Sequence, residues 1–142
     1  MQYQKMHTRH LNAVALIEEA TYDDPWTKKQ LRDMLPNEDA RMFVVVDDQE
    51  VAAYMILFKG TEGWIIENLT VAAEYQRRGI GTELLALART ALDRQRIRTY
   101  VADKYLPMHL LLKKMGYIAK KVEKDIGGED YYLFVSDWIE PS

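Results

Sequence analysis

Residues 76–82, QRRGIGT, are the part of the sequence whose residue types and spacing point most directly to binding chemistry. Arg77 and Arg78 precede a Gly-x-Gly, and the residues that follow have the apolar spacing of a helix. The first turn of a helix has about four backbone N–H groups without a partner and a partial positive charge, so it attracts phosphate. Glycines at 79 and 81 let a ligand approach the backbone. The segment therefore predicts an anion site at the start of a helix.

Spacing separates three kinds of phosphate-binding loop. A P-loop needs a Gly-Lys pair, which this chain lacks. A dinucleotide-binding loop has its first glycine directly after a strand and a third glycine three residues past the second. Here Val71 ends the strand eight residues before Gly79, and Leu84 stands where the third glycine belongs, so Asp103 is only by coincidence near the place of a ribose-binding acid. The remaining interpretation is a diphosphate bound by a basic loop and free helix amides.

The periodicity of the apolar residues predicts the elements around this loop. In chain order they are a strand at 2–6, helices at 8–20 and 27–35, strands at 41–47, 50–60 and 63–71, a helix at 79–93, a strand at 97–103, a helix at 107–116, and strands at 117–122 and 131–139. Short polar turns join the three middle strands, which predicts an antiparallel meander. The expected fold class is mixed α/β, with a mostly antiparallel central sheet and flanking helices.

Two local patterns refine the first two helices. The buried face of the first helix is expected to contain Leu11, Val14, Ala15 and Leu16. Thr27 and Gln30 have the spacing of a capping box, which predicts that the second helix begins there.

Length and composition limit the class of protein. With 142 residues, of which 48% are hydrophobic and 29% charged, the chain fits one globular domain over residues 1–142. It has no apolar run near the ~20 residues of a membrane span and no leader pattern, so we expect a cytoplasmic protein without a membrane partner. The net charge of -3 argues against nucleic acid as a partner. The lack of cysteine and the spacing of the three histidines argue against a metal site.

The string LTVAAEYQRRGIGTELLALA, residues 69–88, resembles the acetyl-CoA-binding motif of the GCN5-related N-acetyltransferase (GNAT) family. The signature Gln/Arg-x-x-Gly-x-Gly/Ala is met by Gln76, Gly79 and Gly81. The segments DDPWTKKQLRDML and LLLKKMGY resemble the RimI-like branch, which acetylates ribosomal-protein N-termini, so the resemblance covers nearly the whole chain. It implies the acyl-CoA N-acyltransferase fold and direct transfer of an acetyl group from acetyl-CoA to a primary amine, on a protein N-terminus, a lysine or a small molecule.

The resemblance also implies where acetyl-CoA would bind. Backbone amides of the loop and helix start would hold the diphosphate, at Gln76, Arg77, Arg78, Gly79, Ile80, Gly81 and Thr82. The main chain of the preceding strand would bond to the pantetheine arm, at Leu69, Thr70 and Val71. We expect the co-substrate to lie in a splay between the strands at 63–71 and 97–103.

The loop between the first two helices is the expected acceptor site, since the family forms part of that site there. Tyr22 and Trp26, beside Asp23 and Asp24, would suit a cationic amine. An alternative that stays open is that Trp26 anchors the loop to the core.

Glu67 is the first candidate for the general base that removes a proton from the amine. By the alternation of side chains along a strand it would share a face with Leu69 and Val71, and burial would make it a stronger base. The alternative is a structural glutamate that meets a lysine or water.

Two positions depart from the RimI-like pattern. Tyr100 stands in place of that branch's glutamate, and Leu112, which cannot donate a proton, stands in place of its tyrosine acid. We expect Tyr105 to be a substitute acid and Tyr100 to contact the amine or water, although simple packing remains an alternative for each. The departure keeps a second function open, a CoA-binding or regulatory module with little turnover.

Two further expectations concern the surface of the protein. His109 is expected to face solvent, and the chain is expected to be a monomer or a homodimer.

Overall fold

The computed structural model describes residues 1–124 and 128–136. The strands are β1 (Gln2–Lys5), β2 (Ala40–Asp47), β3 (Glu50–Gly60), β4 (Gly63–Val71), β5 (Ile97–Ala102), β6 (Tyr117–Lys124) and β7 (Asp130–Ser136). The helices are α1 (Leu11–Thr21), α2 (Lys28–Met34), α3 (Ile80–Ala91) and α4 (Leu106–Lys114). Short 3-10 turns at Thr8–His10 and Ala73–Tyr75 precede α1 and α3. The predicted order of helices and strands is confirmed, except that the predicted end of the last strand lies outside the described residues.

The strands form one seven-stranded sheet in the order β1-β2-β3-β4-β5-β7-β6. β2, β3 and β4 are the predicted antiparallel meander, and β4 with β5 is the parallel pair among the described strands. The Thr27–Gln30 capping box at the start of α2 is also confirmed. The mixed α/β fold class follows from this arrangement. No helix in the described part of the chain is long and apolar enough to cross a membrane.

The helices pack on the two faces of the sheet and form two hydrophobic clusters. α3 and α4 cover one face, in a cluster that includes Met55, Leu57, Leu84, Leu112 and Phe134. α1 and α2 cover the other face, in a cluster that includes Leu11, Val14, Leu31, Tyr54 and Ile56. Because β3 contributes to both clusters, its side chains are buried on both faces, which explains its nearly continuous apolar sequence.

The predicted apolar face of α1 is wrong at Leu16. That side chain is 65% exposed, whereas Glu18 is only 1% exposed. Leu16 follows Leu11 by five residues and therefore lies about 140° away around the helix. Glu18 instead continues the buried stripe of Leu11 and Val14, so a carboxylate occupies a core position on α1.

β4 and β5 pair only at their first residues. The register joins Trp64 to Ile97 and Ile65 to Arg98, and the Thr99 hydroxyl then donates to the Ile66 carbonyl at 3.3 Å. Beyond that point no described strand pairs with β4 on the β5 side. We call the gap between residues 67–71 of β4 and residues 100–102 of β5 the fork.

A β-bulge in β4 accounts for the fork. Ile56 of β3 pairs with Asn68, but the next residue, Leu57, pairs with Ile66, which leaves Glu67 as an extra residue without a partner. A bulge bends its strand and increases the local twist, so β4 turns away from β5 at this point. The expected splay between the two strands is therefore present in the fold.

Gly63 closes the base of the fork, and we predict that Gly63→Ala destabilises the protein. Its φ is +108°, and a Cβ there would lie 2.4 Å from the Arg96 carbonyl oxygen, beside the bond from Trp64 N–H to that oxygen. The free energy of unfolding should fall by about 2 kcal/mol or more, measured by urea unfolding followed by circular dichroism.

Gly60→Ala is the matched control for this variant. A Cβ at Gly60 meets nothing nearer than 3.5 Å and its φ is not in the left-handed region, so the change should stay within about 0.5 kcal/mol. Equal losses in the two variants would contradict the assigned role of Gly63.

Candidate active site

The loop between β4 and α3 has the backbone conformation of an anion-binding nest. Arg77 and Gly79 both have positive φ, +65° and +78°, and they flank Arg78. A positive-φ residue on each side of an ordinary residue turns neighbouring N–H groups toward one concavity. Gly79 is also the N-cap of α3, and no side chain caps this helix start. The loop and the first turn of α3 thus offer backbone donors to one anion.

The two glycines of the loop are required for different reasons. Gly79 has left-handed backbone but open space where a Cβ would be, so its conformation is what favours glycine. A Cβ on Gly81 would lie 3.0 Å from the Leu111 side chain, so that glycine allows α3 to pack closely on α4. We expected both glycines to let a ligand approach the backbone, but Gly81 also serves the packing of α3 on α4.

Side chains fasten the loop to the end of β4. Gln76 donates from Nε2 to the Val71 carbonyl at 3.2 Å. The Arg78 guanidinium lies over the Tyr75 ring, 5.2 Å from its centroid. Tyr75 is buried and donates to Glu50 Oε2 at 3.0 Å, and this hydrogen bond raises the pKa of Tyr75 to about 12. The predicted diphosphate and pantetheine segments therefore meet at the open end of the fork.

A buried polar cluster that was not predicted from the sequence lies on the α1 side of the fork. Glu18 Oε1 accepts from the Trp26 backbone N–H at 2.9 Å, and Oε2 accepts from Asn68 Nδ2 at 2.7 Å and from the Tyr54 hydroxyl. Trp26 Nε1 donates to Asn68 Oδ1 at 3.1 Å. The sequence does contain a signal for this cluster. Glu18 follows Val14 by four residues and Ala15 by three, so it falls on the apolar face of the helix.

Two further hydroxyl groups extend this cluster to the surface. The hydroxyls of Tyr22 and Thr70 are 2.7 Å apart, and Thr70 lies directly opposite Tyr54 in the pairing of β3 with β4. Burial raises the pKa of Tyr22, and burial followed by the Glu18 hydrogen bond raises the pKa of Tyr54. Both phenols are therefore neutral near pH 7.

Tyr22 and Tyr105 adjoin the two strands of the fork. The Tyr22 hydroxyl lies 2.7 Å from the hydroxyl of Thr70 on β4, and the Tyr105 backbone N–H donates to the Ala102 carbonyl of β5 at 3.0 Å. The two phenols are 40% and 57% exposed. A predicted acceptor-site residue and the predicted substitute acid thus each border one strand of the fork.

Trp26 has the contacts of a structural anchor. Its ring is half-buried against the α1 and α2 cluster and lies 6.4 Å from that of Phe58. Both of its N–H groups are used within the buried cluster. The alternative that the sequence left open, an anchor for the loop, describes these contacts, and Asp23 and Asp24 remain exposed on the same loop.

The remaining catalytic candidates are at the surface. Glu67 is exposed within the bulge, so the expectation of a buried carboxylate does not hold. The bulge is the physical reason, because it leaves Glu67 as an extra residue without a partner on β3. Tyr100 is 50% exposed on β5, whereas Leu112 is fully buried in the core.

His109 does not face solvent, contrary to the prediction. It is 9% exposed, its Nε2 lies 2.9 Å from the Ala102 carbonyl oxygen, and its ring packs edge-on against Tyr132 and Phe134. The apolar spacing of α4 could not reveal this, because the partners come from β5 and β7. His109 thus ties α4 to the end of β5.

Comparison with known proteins agrees with this architecture. The E. coli ribosomal-protein-S18-alanine N-acetyltransferase is 20% identical, with a TM-score of 0.81 over 95% of this chain and 92% of that one. Arabidopsis thaliana NAA60, in complex with a bisubstrate analogue, is 16% identical, with a TM-score of 0.80 over 94% and 95%. The PaiA N-acetyltransferase of Thermoplasma acidophilum, in complex with coenzyme A, is 17% identical, with a TM-score of 0.74 over 93% and 96%.

At these identities the solved structures establish the fold. No curated protein sequence matches the chain. The family model for the acetyltransferase (GNAT) family matches residues 11–117, about three quarters of the chain. The chain therefore belongs to the GNAT family of acetyltransferases and is an N-acetyltransferase that uses acetyl-CoA.

Proposed function

We propose that acetyl-CoA binds in the fork, with its acetyl group at the β4 bulge, and that the acceptor is a protonated primary amine that enters beside Tyr22. One observation carries the proposal. The stretch of β4 without a strand partner on the β5 side, residues 67–71, leads directly into the nest at residues 76–82.

The donor half of the site follows from unpaired backbone groups. The pantetheine arm contains amides, which can bond to the main chain of Leu69, Thr70 and Val71 in the place of a neighbouring strand. The diphosphate would accept from the amides of Ile80, Gly81 and Thr82, with Arg77 adding charge. Gln76 and Arg78 act mainly by holding the loop in shape.

The acceptor half of the site combines aromatic and acidic groups. Tyr22, with Asp23 and Asp24, forms an exposed edge that suits a cation, and Trp26 holds this loop in place. The amino group of a peptide N-terminus is our first candidate, in keeping with the alanine named for the E. coli neighbour. Tyr100 and Leu112 depart from the RimI-like pattern, so we do not propose the same ribosomal protein as the substrate.

The reaction needs three events. The ammonium loses a proton to a base, and its nitrogen attacks the thioester carbonyl. The nitrogen then loses a second proton to a base or water as the carbon–sulfur bond breaks and the sulfur gains a proton. We assign Glu67 as the base because of its place at the bulge. Its side chain is exposed, so the assignment does not depend on burial. Tyr105 would donate the proton to the sulfur, and Tyr100 would contact the amine or water. Proximity of bound groups supplies much of the rate, since effective molarities reach about 10⁵ M or more.

Gly79→Ala should weaken coenzyme A binding. The substitution places an ordinary side chain at left-handed backbone in the nest, so the donors lose their common direction. We expect the Kd for coenzyme A in calorimetry to rise by about tenfold, the loss of about one charge-assisted hydrogen bond.

Gly116→Ala controls for backbone strain alone. Gly116 also has positive φ, +91°, and open space where a Cβ would lie, but it follows the C-terminal end of α4. Its melting temperature should fall as in Gly79→Ala, while its Kd stays within about twofold of the wild type. A Gly79→Ala protein with unchanged Kd would show that the nest does not bind the diphosphate.

Glu67→Gln and Tyr105→Phe test the assigned base and acid. Thiol release from acetyl-CoA is followed with a panel of peptides with free N-termini and with spermidine. Loss of a general base or acid should lower kcat by about 10²-fold or more, with coenzyme A binding unchanged. Tyr100→Phe should have a smaller effect, since its hydroxyl is assigned only a contact.

Each outcome in this series has a defined meaning. Full activity of Glu67→Gln would make Glu67 a structural residue. Coenzyme A binding without thiol release for any amine would favour the non-catalytic module over turnover. The cytoplasmic location and the monomer or homodimer remain predictions from the sequence.

A further inference from the structure

We infer that Asn68 and Thr70 fasten the loop between α1 and α2 to the strand that would hold the thioester, and that they are positioning residues for the transfer. We call residues 22–27 the acceptor loop. The inference rests on the proposed function, because it specifies which contacts set the distance between the bound amine and acetyl-CoA.

The acceptor loop depends on side chains for its position. Its central residues, 23–26, form no hydrogen bond with another main-chain group in the part of the chain that the structure describes. Glu18 Oε1 instead accepts from the Trp26 backbone N–H at 2.9 Å, and the Trp26 ring lies 6.4 Å from that of Phe58. A loop held in this way keeps one position only while its side-chain partners stay in place.

Asn68 ties this loop to β4. Its Oδ1 accepts from Trp26 Nε1 at 3.1 Å, and its Nδ2 donates to Glu18 Oε2 at 2.7 Å. Because Glu18 also accepts from the Trp26 backbone, the three residues form a closed set of hydrogen bonds, which we call the polar triad. Asn68 is 8% exposed and Glu18 only 1%, so a bond lost from the triad is not readily replaced by water.

Thr70 gives the loop a second attachment. Its hydroxyl lies 2.7 Å from that of Tyr22, the first residue of the acceptor loop. Thr70 is two residues from Asn68, so both side chains lie on the same face of β4. The same residues belong to the stretch of β4 that has no partner on the β5 side. One short stretch of strand thus holds the loop with its side chains and offers its free main-chain edge to the pantetheine arm.

This arrangement separates the donor half of the site from the acceptor half. Residues 68–71 pair with β3 through the main chain, so the loss of a side-chain contact there leaves the strand in place. The loss of the triad, in contrast, lets the acceptor loop shift relative to the strand. A misplacement of about 1 Å can lower a rate by about 10²-fold, so kcat should fall while coenzyme A binding does not.

Two single variants break the triad with opposite changes in charge. In Glu18→Gln the new amide group meets a donor in either orientation, since Trp26 and Asn68 both donate to residue 18. In Asn68→Asp two carboxylates face each other. We expect kcat with the best amine in the panel to fall by at least about tenfold in both, with the Kd for coenzyme A within about twofold. An effect of charge alone on a cationic amine predicts opposite changes in the two variants.

The double variant Glu18→Gln with Asn68→Asp restores the triad. Residue 18 then accepts from the Trp26 backbone and donates to residue 68, which still accepts from Trp26 Nε1. We expect kcat to return to within about threefold of the wild type, because the two changes compensate each other.

Tyr54→Phe is the matched control for stability. It removes a further donor to Glu18 but leaves all bonds of the triad in place. Its melting temperature should fall, as in the single variants, while its kcat stays at the wild-type value. A purely structural role for the triad predicts instead that kcat of the folded protein is unchanged in every one of these variants.

Thr70→Val tests the second attachment without a change in side-chain shape. It should lower kcat less, by about threefold, because Trp26 remains fastened to Asn68. Thr70→Ser keeps the hydroxyl and should keep the wild-type kcat.

Hydrogen exchange of the acceptor loop separates this inference from the proposed function, because it does not depend on turnover. Exchange of the Trp26 backbone N–H should be at least about tenfold faster in both single variants and normal in the double variant. If the wild type binds coenzyme A but releases no thiol, the proposed function fails, and exchange still decides whether the triad holds the loop. Wild-type exchange in the folded single variants, or a normal kcat in both, would overturn the inference.

Discussion

The bulge at Glu67 is the local feature on which the shape of the site depends. It places one extra residue in β4, so side chains that follow it change faces relative to those that precede it. Ile66 packs with α3 and α4, whereas Asn68 is turned toward α1, where Glu18 accepts from it. The same bend separates β4 from β5 after two residue pairs. A single inserted residue thus opens the fork and directs Asn68 into the network beside it.

The Glu18 cluster shows why a buried charge is tolerated next to that space. A carboxylate without partners is very costly to bury, but three donors replace the water that Glu18 loses. Those donors come from the loop after α1, from β3 and from β4. The charge therefore holds together three segments that border the α1 side of the fork. Hydrophobic packing alone would hold them with less directional control.

The periodic parts of the sequence predicted the fold well because their signals are local. The bounds of β3 and β4, the capping box at Thr27 and the order of all described elements follow from alternation, turn residues and helix caps. The glycine spacing of residues 76–82 is a local signal of the same kind, and the anion site that it indicates stays a prediction. The error at Leu16 is one of helical spacing, whereas Glu18 and His109 are buried by partners from other elements.

The catalytic candidates depend both on local sequence patterns and on contacts between elements that are distant in the sequence. The sequence by itself determined the family motif, the fold class and the class of co-substrate, because those depend on residue types at short spacing. Only the tertiary structure decided that Glu67 is exposed in a bulge, that the Tyr22 hydroxyl meets Thr70, and that Glu18 is buried beside the fork. The physical reason is that a bulge needs two strands to be defined, and a hydrogen-bond chain needs partners from segments far apart in the sequence.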